Sequence, residues 1–144
     1  MIIHILIPHF WIVVEELRRP DLLARPVIIG DGFMEKRGGH VKVLMANAQA
    51  ESFGVRSGIT LAHARQLCPE AVILSPELPL YAGVWDDVMA LLLTYTPLVE
   101  SLGPGEAVCD VTGCERLFGA PVPLAQEITR QIECSAGLPA RAGV

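Results

Sequence analysis

The chain has 144 residues, 51% of them hydrophobic and 19% charged, with a formal net charge of −5. This composition excludes a disordered or fibrous chain and suffices for one domain, or a compact pair of subdomains, around a real core. No apolar run approaches the roughly 18–20 residues of a membrane span, and no basic region precedes the apolar N-terminus as in a signal peptide.

Residues 2–7 read as a strand that is apolar except for His4. The strand runs into Pro8-His9-Phe10-Trp11. A helix from Phe10 to Arg18 follows, with Trp11, Val14 and Leu17 spaced for one face. Pro20 stops it, and Asp21 is placed to cap a short turn through Ala24. Pro26–Gly30 reads as a short buried strand. The stretch from Asp31 through Lys36-Arg37-Gly38-Gly39-His40 reads as a polar, glycine-rich loop. Val41–Ala46 reads as a strand, and Asn47–Phe53 as a helix closed by Gly54. Thr60 caps a helix ended by Cys68-Pro69, and Ala71–Leu74 is a strand. Leu78–Tyr95 is the longest predicted helix, with Leu80, Val84, Val88, Leu91 and Leu92 near helical spacing. Leu98–Thr112 reads as two antiparallel strands turning at Gly103-Pro104-Gly105. A helix from Pro123 to Cys134 and a strand from Pro139 to Val144 end the chain.

With residues 10–75 set aside, the order is strand, helix, hairpin, helix, strand. This is the split β-α-β pattern of a ferredoxin-like sheet, and it predicts an α+β fold with an inserted small α/β subdomain. The expected division is 1–9 with 76–144, and 10–75. Charge follows it: residues 10–75 hold eight Lys/Arg and seven Asp/Glu, residues 76–144 three and nine. Contact with a polyanion therefore falls to the insertion, with Lys36, Arg37, Lys42 and Arg56 as DNA-binding candidates. Cys68, Cys109, Cys114 and Cys134 show no C-x-x-C spacing, which predicts a reduced, cytoplasmic chain without a cysteine zinc site. No histidine stands beside Cys109 in sequence, so Cys109 reads as a small strand residue. His9 reads as a structural residue of the junction. Glu106 and Asp110 share a strand face but stand about 13 Å apart along it, too far for joint acid–base work.

Several separated stretches resemble Y-family (UmuC/DinB-like) translesion DNA polymerases. They are Phe53-Gly-Val-Arg-Ser-Gly-Ile-Thr60 with Leu61-Ala and Leu67-Cys-Pro69, the opening strand and its aromatic pair, Tyr95-Thr-Pro-Leu-Val-Glu100, Glu106-Ala-Val-Cys-Asp-Val-Thr-Gly113, and Gly137–Val144. The resemblance implies fingers at 10–75 and part of a palm at 1–9 and 76–144, with a thumb and little finger lying beyond residue 144. It also implies DNA as a partner. The family sets two metal ions between an aspartate ending the first strand and an Asp-Glu pair at the hairpin; two such ions activate the attacking hydroxyl and steady the leaving oxygen. Here those positions are Leu6 and Gly105-Glu106, so one carboxylate of three remains. The family's Tyr-x-x-Arg, which holds the triphosphate, falls on Ala48-Gln-Ala-Glu51. A glutamate there repels phosphate, by about 4 kcal/mol at ~4 Å with surface-like screening. Phe10 and Trp11 stand at the aromatic step, where the family excludes the wrong sugar.

Thr112-Gly-Cys-Glu-Arg-Leu-Phe-Gly119 resembles most closely the accessory subgroup known as ImuB, polymerase-like proteins of bacterial mutagenesis cassettes. The expectation is a non-catalytic protein of DNA damage tolerance, with no metal or other cofactor and no membrane contact. It would work with a separate catalytic polymerase and the sliding clamp. Two alternatives stand beside it. One is an active polymerase that recruits Glu100 or Asp110 as magnesium ligands. The other is a protein-interaction module without DNA contact.

Overall fold

A computed structural model describes residues 1–31, 36 and 40–144. The chain divides into two compact units, Met1–Phe10 with Pro79–Val144, and Trp11–Leu78.

The first unit is a four-stranded sheet with two long helices. Its strands are β1 (Ile2–Leu6), β5 (Val99–Gly103), β6 (Glu106–Asp110) and β7 (Arg141–Gly143). Their order is β5-β6-β1-β7, and every neighbouring pair is antiparallel. This is the ferredoxin-like arrangement that the strand–helix–hairpin–helix–strand order predicts. The β5–β6 hairpin turns at Pro104-Gly105, and the register slips between Ser101 and Gly103. The side chains of β1 alternate. Ile3 and Ile5 are fully buried, while Ile2, His4 and Leu6 face the other way. On β6, Ala107 and Cys109 lie on the buried side, opposite Ile5 and Ile3. The long helices are α4 (Leu78–Leu93) and α6 (Pro121–Ala136). Helix α6 buries Leu124, Ala125, Ile128 and Ile132, a 3.6-residue stripe, and ends at Gly137 in the left-handed conformation. Helix α4 buries Tyr81, Val88 and Leu92, so the stripe expected from Leu80 and Leu91 is rotated toward Tyr81.

The second unit has a three-stranded sheet in the order β3-β2-β4, from β2 (Val27–Ile29), β3 (Met45–Ala46) and β4 (Val72–Leu74). Its core joins Ile28, Val43, Ala46, Ala50, Val55, Leu61, Ala64 and Cys68. Helix α2 (Ala48–Glu51) is capped by Asn47, and α3 (Leu61–Leu67) by Thr60, whose hydroxyl accepts from the His63 amide as expected. The expected strand from Val41 is shorter than its sequence suggests. Lys42 makes only an isolated bridge to Thr60, and Val43 and Leu61 donate to loop carbonyls instead of extending the ladder.

Helix α1 (Phe10–Arg18) buries only one of the three residues spaced for one face, Val14. Phe10, Ile12, Val14 and Glu15 are buried, while Leu17 is 48% exposed and Trp11 half-buried. Spacing identified the helix but not its rotation, because apolar residues ring most of its first two turns. The turn after Pro20 is a 3-10 helix, Pro20–Leu22, with Arg19 rather than Asp21 at its start and no side-chain cap. A short helix unforeseen from sequence, α5 (Glu115–Phe118), follows the Thr112-Gly113 turn, and Phe118 meets Tyr95 edge-on at 5.2 Å between ring centroids.

Candidate functional site

The site is built on the face of the first unit's sheet opposite Ile3, Ile5 and Cys109. Antiparallel register sets Leu6 against Glu106, His4 against Val108 and Ile2 against Asp110. On the other side of β1, Leu6 lies in register with Arg141 and His4 with Gly143. Leu6 is therefore flanked by a carboxylate on β6 and a guanidinium on β7. The imidazole Nε2 of His4 lies 2.7 Å from Glu106 Oε1, a diagonal contact across the two strands. A carboxylate oxygen accepts, so the imidazole N–H donates. Both side chains are about two-fifths exposed, at 43% and 40%.

Gly105 closes the end of this face. Its φ is +82°, and its carbonyl accepts from the Ile7 amide at 2.7 Å. A Cβ at this position would lie 2.6 Å from the Ile7 carbonyl oxygen and 2.7 Å from Phe10 Cβ. Both distances are far inside van der Waals contact, and an L residue resists this φ. Phe10 itself is buried and meets Trp85 edge-on at 5.4 Å. His9 precedes it with φ +53°, a left-handed kink that bends the strand end into the helix. Phe10 is thus packed into the core directly after a residue in the left-handed conformation, a kink the sequence did not reveal.

The remaining carboxylates of this face, Glu100 and Asp110, line a common cleft at its other end. Glu100 lies in register with Val108 on β5. Asp110 is occupied at its own end of the sheet: its Oδ1 accepts from the Thr112 amide at 3.0 Å and stands 4.0 Å from the N-terminal ammonium. Hydrogen bonding from the Thr112 side chain, and then from its amide, holds the Asp110 carboxyl below the usual range. A cleft of about 380 Å³ at that end is lined by Ile2, Leu98, Glu100, Val108 and Asp110. Among the described residues, no group of three or more His, Cys, Asp or Glu side chains is placed to hold a metal ion. Burial pushes the Cys109 thiol up to about 11, which fits a strand residue and not a nucleophile.

The other predicted residues belong to the second unit. Ala48 and Glu51 are exposed at the two ends of α2, one helical turn apart. Lys36, Lys42 and Arg56 are exposed. Arg37 and Gly38-Gly39 lie outside the described residues. His4 is the site residue that sequence reading passed over. Its partner is 102 positions away, and only the β1–β6 register brings the two together.

The fold and the open-faced sheet define a class. Residues 5–144 match the impB/mucB/samB family, and the chain belongs to it, among the Y-family DNA polymerases. Individual relatives sharpen this. The chain is 39% identical over 143 residues to DNA polymerase IV of Alkalilimnicola ehrlichii, covering 99% of this chain and 39% of that one. It is 40% identical over 135 residues to DNA polymerase IV 2 of Bacillus subtilis, covering 94% and 32%. Among solved structures, DinB from Sulfolobus solfataricus superposes with a TM-score of 0.87 at 24% identity, covering 99% of this chain and 41% of that chain. An insertion ternary complex of Dbh DNA polymerase gives 0.86 at 25%, with the same coverage. The chain thus spans about two-fifths or less of the length of these relatives. Among the described residues, no helix is long and apolar enough to cross a membrane.

Proposed function

We propose that this chain is a non-catalytic Y-family member of the ImuB type, acting in DNA damage tolerance beside a separate catalytic polymerase. One observation carries the reading: a leucine faces Glu106 in register at the end of the first strand, where the family resemblance sets an aspartate. A hydrocarbon supplies no ligand, and hard divalent cations demand oxygen. Gly105 supplies none either. The one carboxylate left is already bonded to His4. The residues present therefore do not fit a two-cation centre, and no step of nucleotide addition is assigned to them. The recruited-ligand alternative is weakened by distance, since Asp110 is four residues along the strand from Glu106 and engaged with Thr112.

DNA is the proposed partner, met through the second unit. That unit carries eight Lys/Arg against eight Asp/Glu, whereas the first carries three against eight. Exposed Lys42 and Arg56 are the groups to contact phosphate. Such binding weakens steeply as salt rises. Glu51 on α2, at the position assigned to a triphosphate-holding arginine, works against nucleotide capture.

The test is primer extension with magnesium or manganese, run beside Mn²⁺ titration by calorimetry. No templated addition and no tight two-ion binding are expected. Templated extension by the purified protein, abolished by E106Q, overturns the reading. It would restore the active polymerase suggested by the relatives' names.

A further inference from the structure

Cation exclusion at this sheet end has a second layer, and it rests on the non-catalytic reading above. We infer that His4 is a positioning residue that holds Glu106 in a closed pair, so that a carboxylate restored at Leu6 binds a divalent cation about fivefold less tightly with His4 present than without it. Three features of the first unit support this. The His4–Glu106 contact, at 2.7 Å, occupies Oε1 of the carboxylate in register with Leu6. Arg141, in register with Leu6 on the opposite side, adds a fixed positive charge to the same face, and no ion pair to it occurs among the described residues. The turn at Gly105 leaves no space for a side chain, because a Cβ there meets backbone at 2.6 Å rather than the end of a flexible chain. The third ligand position is therefore closed by the course of the backbone as well as by residue type.

A cation arriving between positions 6 and 106 must break the imidazole–carboxylate bond before using Glu106 fully. The pair is part-exposed, so the penalty is modest, about fivefold in affinity. Imidazole is also a good ligand for transition metals, and this gives the test its second edge.

The experiment is Mn²⁺ binding, followed by electron paramagnetic resonance, in the wild-type protein, L6D, H4V, H4V/L6D and H4Q/L6D. Circular dichroism melts confirm folding, and H4Q/L6D stands in if H4V/L6D fails to fold. Wild type and H4V should bind no Mn²⁺ at micromolar concentrations. H4V/L6D or H4Q/L6D should bind about fivefold more tightly than L6D. A second readout is the ¹⁵N shift of His4 Nε2, which should move in E106Q. Equal binding by L6D and the double variants refutes the positioning role while leaving the non-catalytic reading intact. Tighter binding by L6D than by the double variants makes His4 a ligand and also refutes it. Two-ion binding by the wild type instead sinks the non-catalytic reading itself.

Discussion

The two units differ in how they use their sheets. In the first, β1 and β6 alternate between a buried and an open face, so one side of the sheet is free to carry chemistry. In the second, all three residues of β2 are buried, so that strand offers no open face. Charge divides the same way: the first unit carries the whole net charge of −5, while the second is neutral. A sheet with an open face can vary that face without touching its core. Leu6, Gly105 and the His4–Glu106 pair all lie on or beside the open face, and Ile3, Ile5 and Ala107 remain packed behind it. On this sheet the site and the core are separate sets of residues.

A glycine from each unit sharpens this contrast most. Gly105→Ala drives a methyl group against the Ile7 carbonyl oxygen at 2.6 Å, at a φ that disfavours any L side chain. It should cost about 3 kcal/mol or more of unfolding free energy. Gly30→Ala in the second unit meets a Leu61 methyl at 3.1 Å and the Lys42 carbonyl oxygen at 3.4 Å, at an ordinary φ, so a shift of a few tenths of an ångström relieves it and it should cost less, about 1 kcal/mol. Urea denaturation of both variants measures the difference. Equal costs would mean that the open-face turn relaxes freely, and the argument that backbone closes the third ligand position would fall.

The second unit has its own point of failure, inside rather than on a face. Asn47 is 5% exposed; its Oδ1 accepts from the Val27 and Ala50 amides, both at 3.0 Å, and its Nδ2 donates to the Arg25 carbonyl at 2.8 Å. One side chain thus caps α2 and ties it to the start of β2. Asn47→Ala leaves buried backbone donors unpaired and should destabilise by about 2–3 kcal/mol. Thr60→Ala removes a single exposed cap bond and should cost only about 1 kcal/mol. Melting temperatures should rank the two in that order, and a larger loss at Thr60 would contradict the weight placed on Asn47.

What the sequence made legible follows from where each signal is local. The Thr60 cap, the Gly103–Gly105 turn and both long helices are written within a few residues, and they appear where expected. Leu6 and Gly105, where the resemblance sets acidic residues, are likewise read directly from the sequence. The facing of α1 was not legible. Its apolar residues fit more than one rotation, and packing chose Ile12 over Leu17. The His4–Glu106 bond depends on strand register across most of the chain, which no local spacing carries. The left-handed His9 is set by the kink that tertiary structure demands, where local preference would place a glycine.

The smallest effect lies at the far end of the open face and concerns acid. Asp110 is held below its ordinary pKa first by hydrogen bonding from the Thr112 side chain and then from its backbone, with a smaller pull from the N-terminal charge. A carboxyl depressed in the folded state adds stability that is present above its unfolded value, near 3.9. That stability is lost as pH falls through the lower folded value. The group is exposed, so the effect on overall unfolding is slight, and titration of its side-chain carbon by NMR is the sensitive measure. T112V keeps the backbone amide and removes the hydroxyl, so it should raise the Asp110 midpoint partway toward the ordinary value. An unchanged midpoint would assign the depression to the backbone and the N-terminus alone. The Thr112 hydroxyl would then serve only the Met1 ammonium, which it accepts from at 2.8 Å.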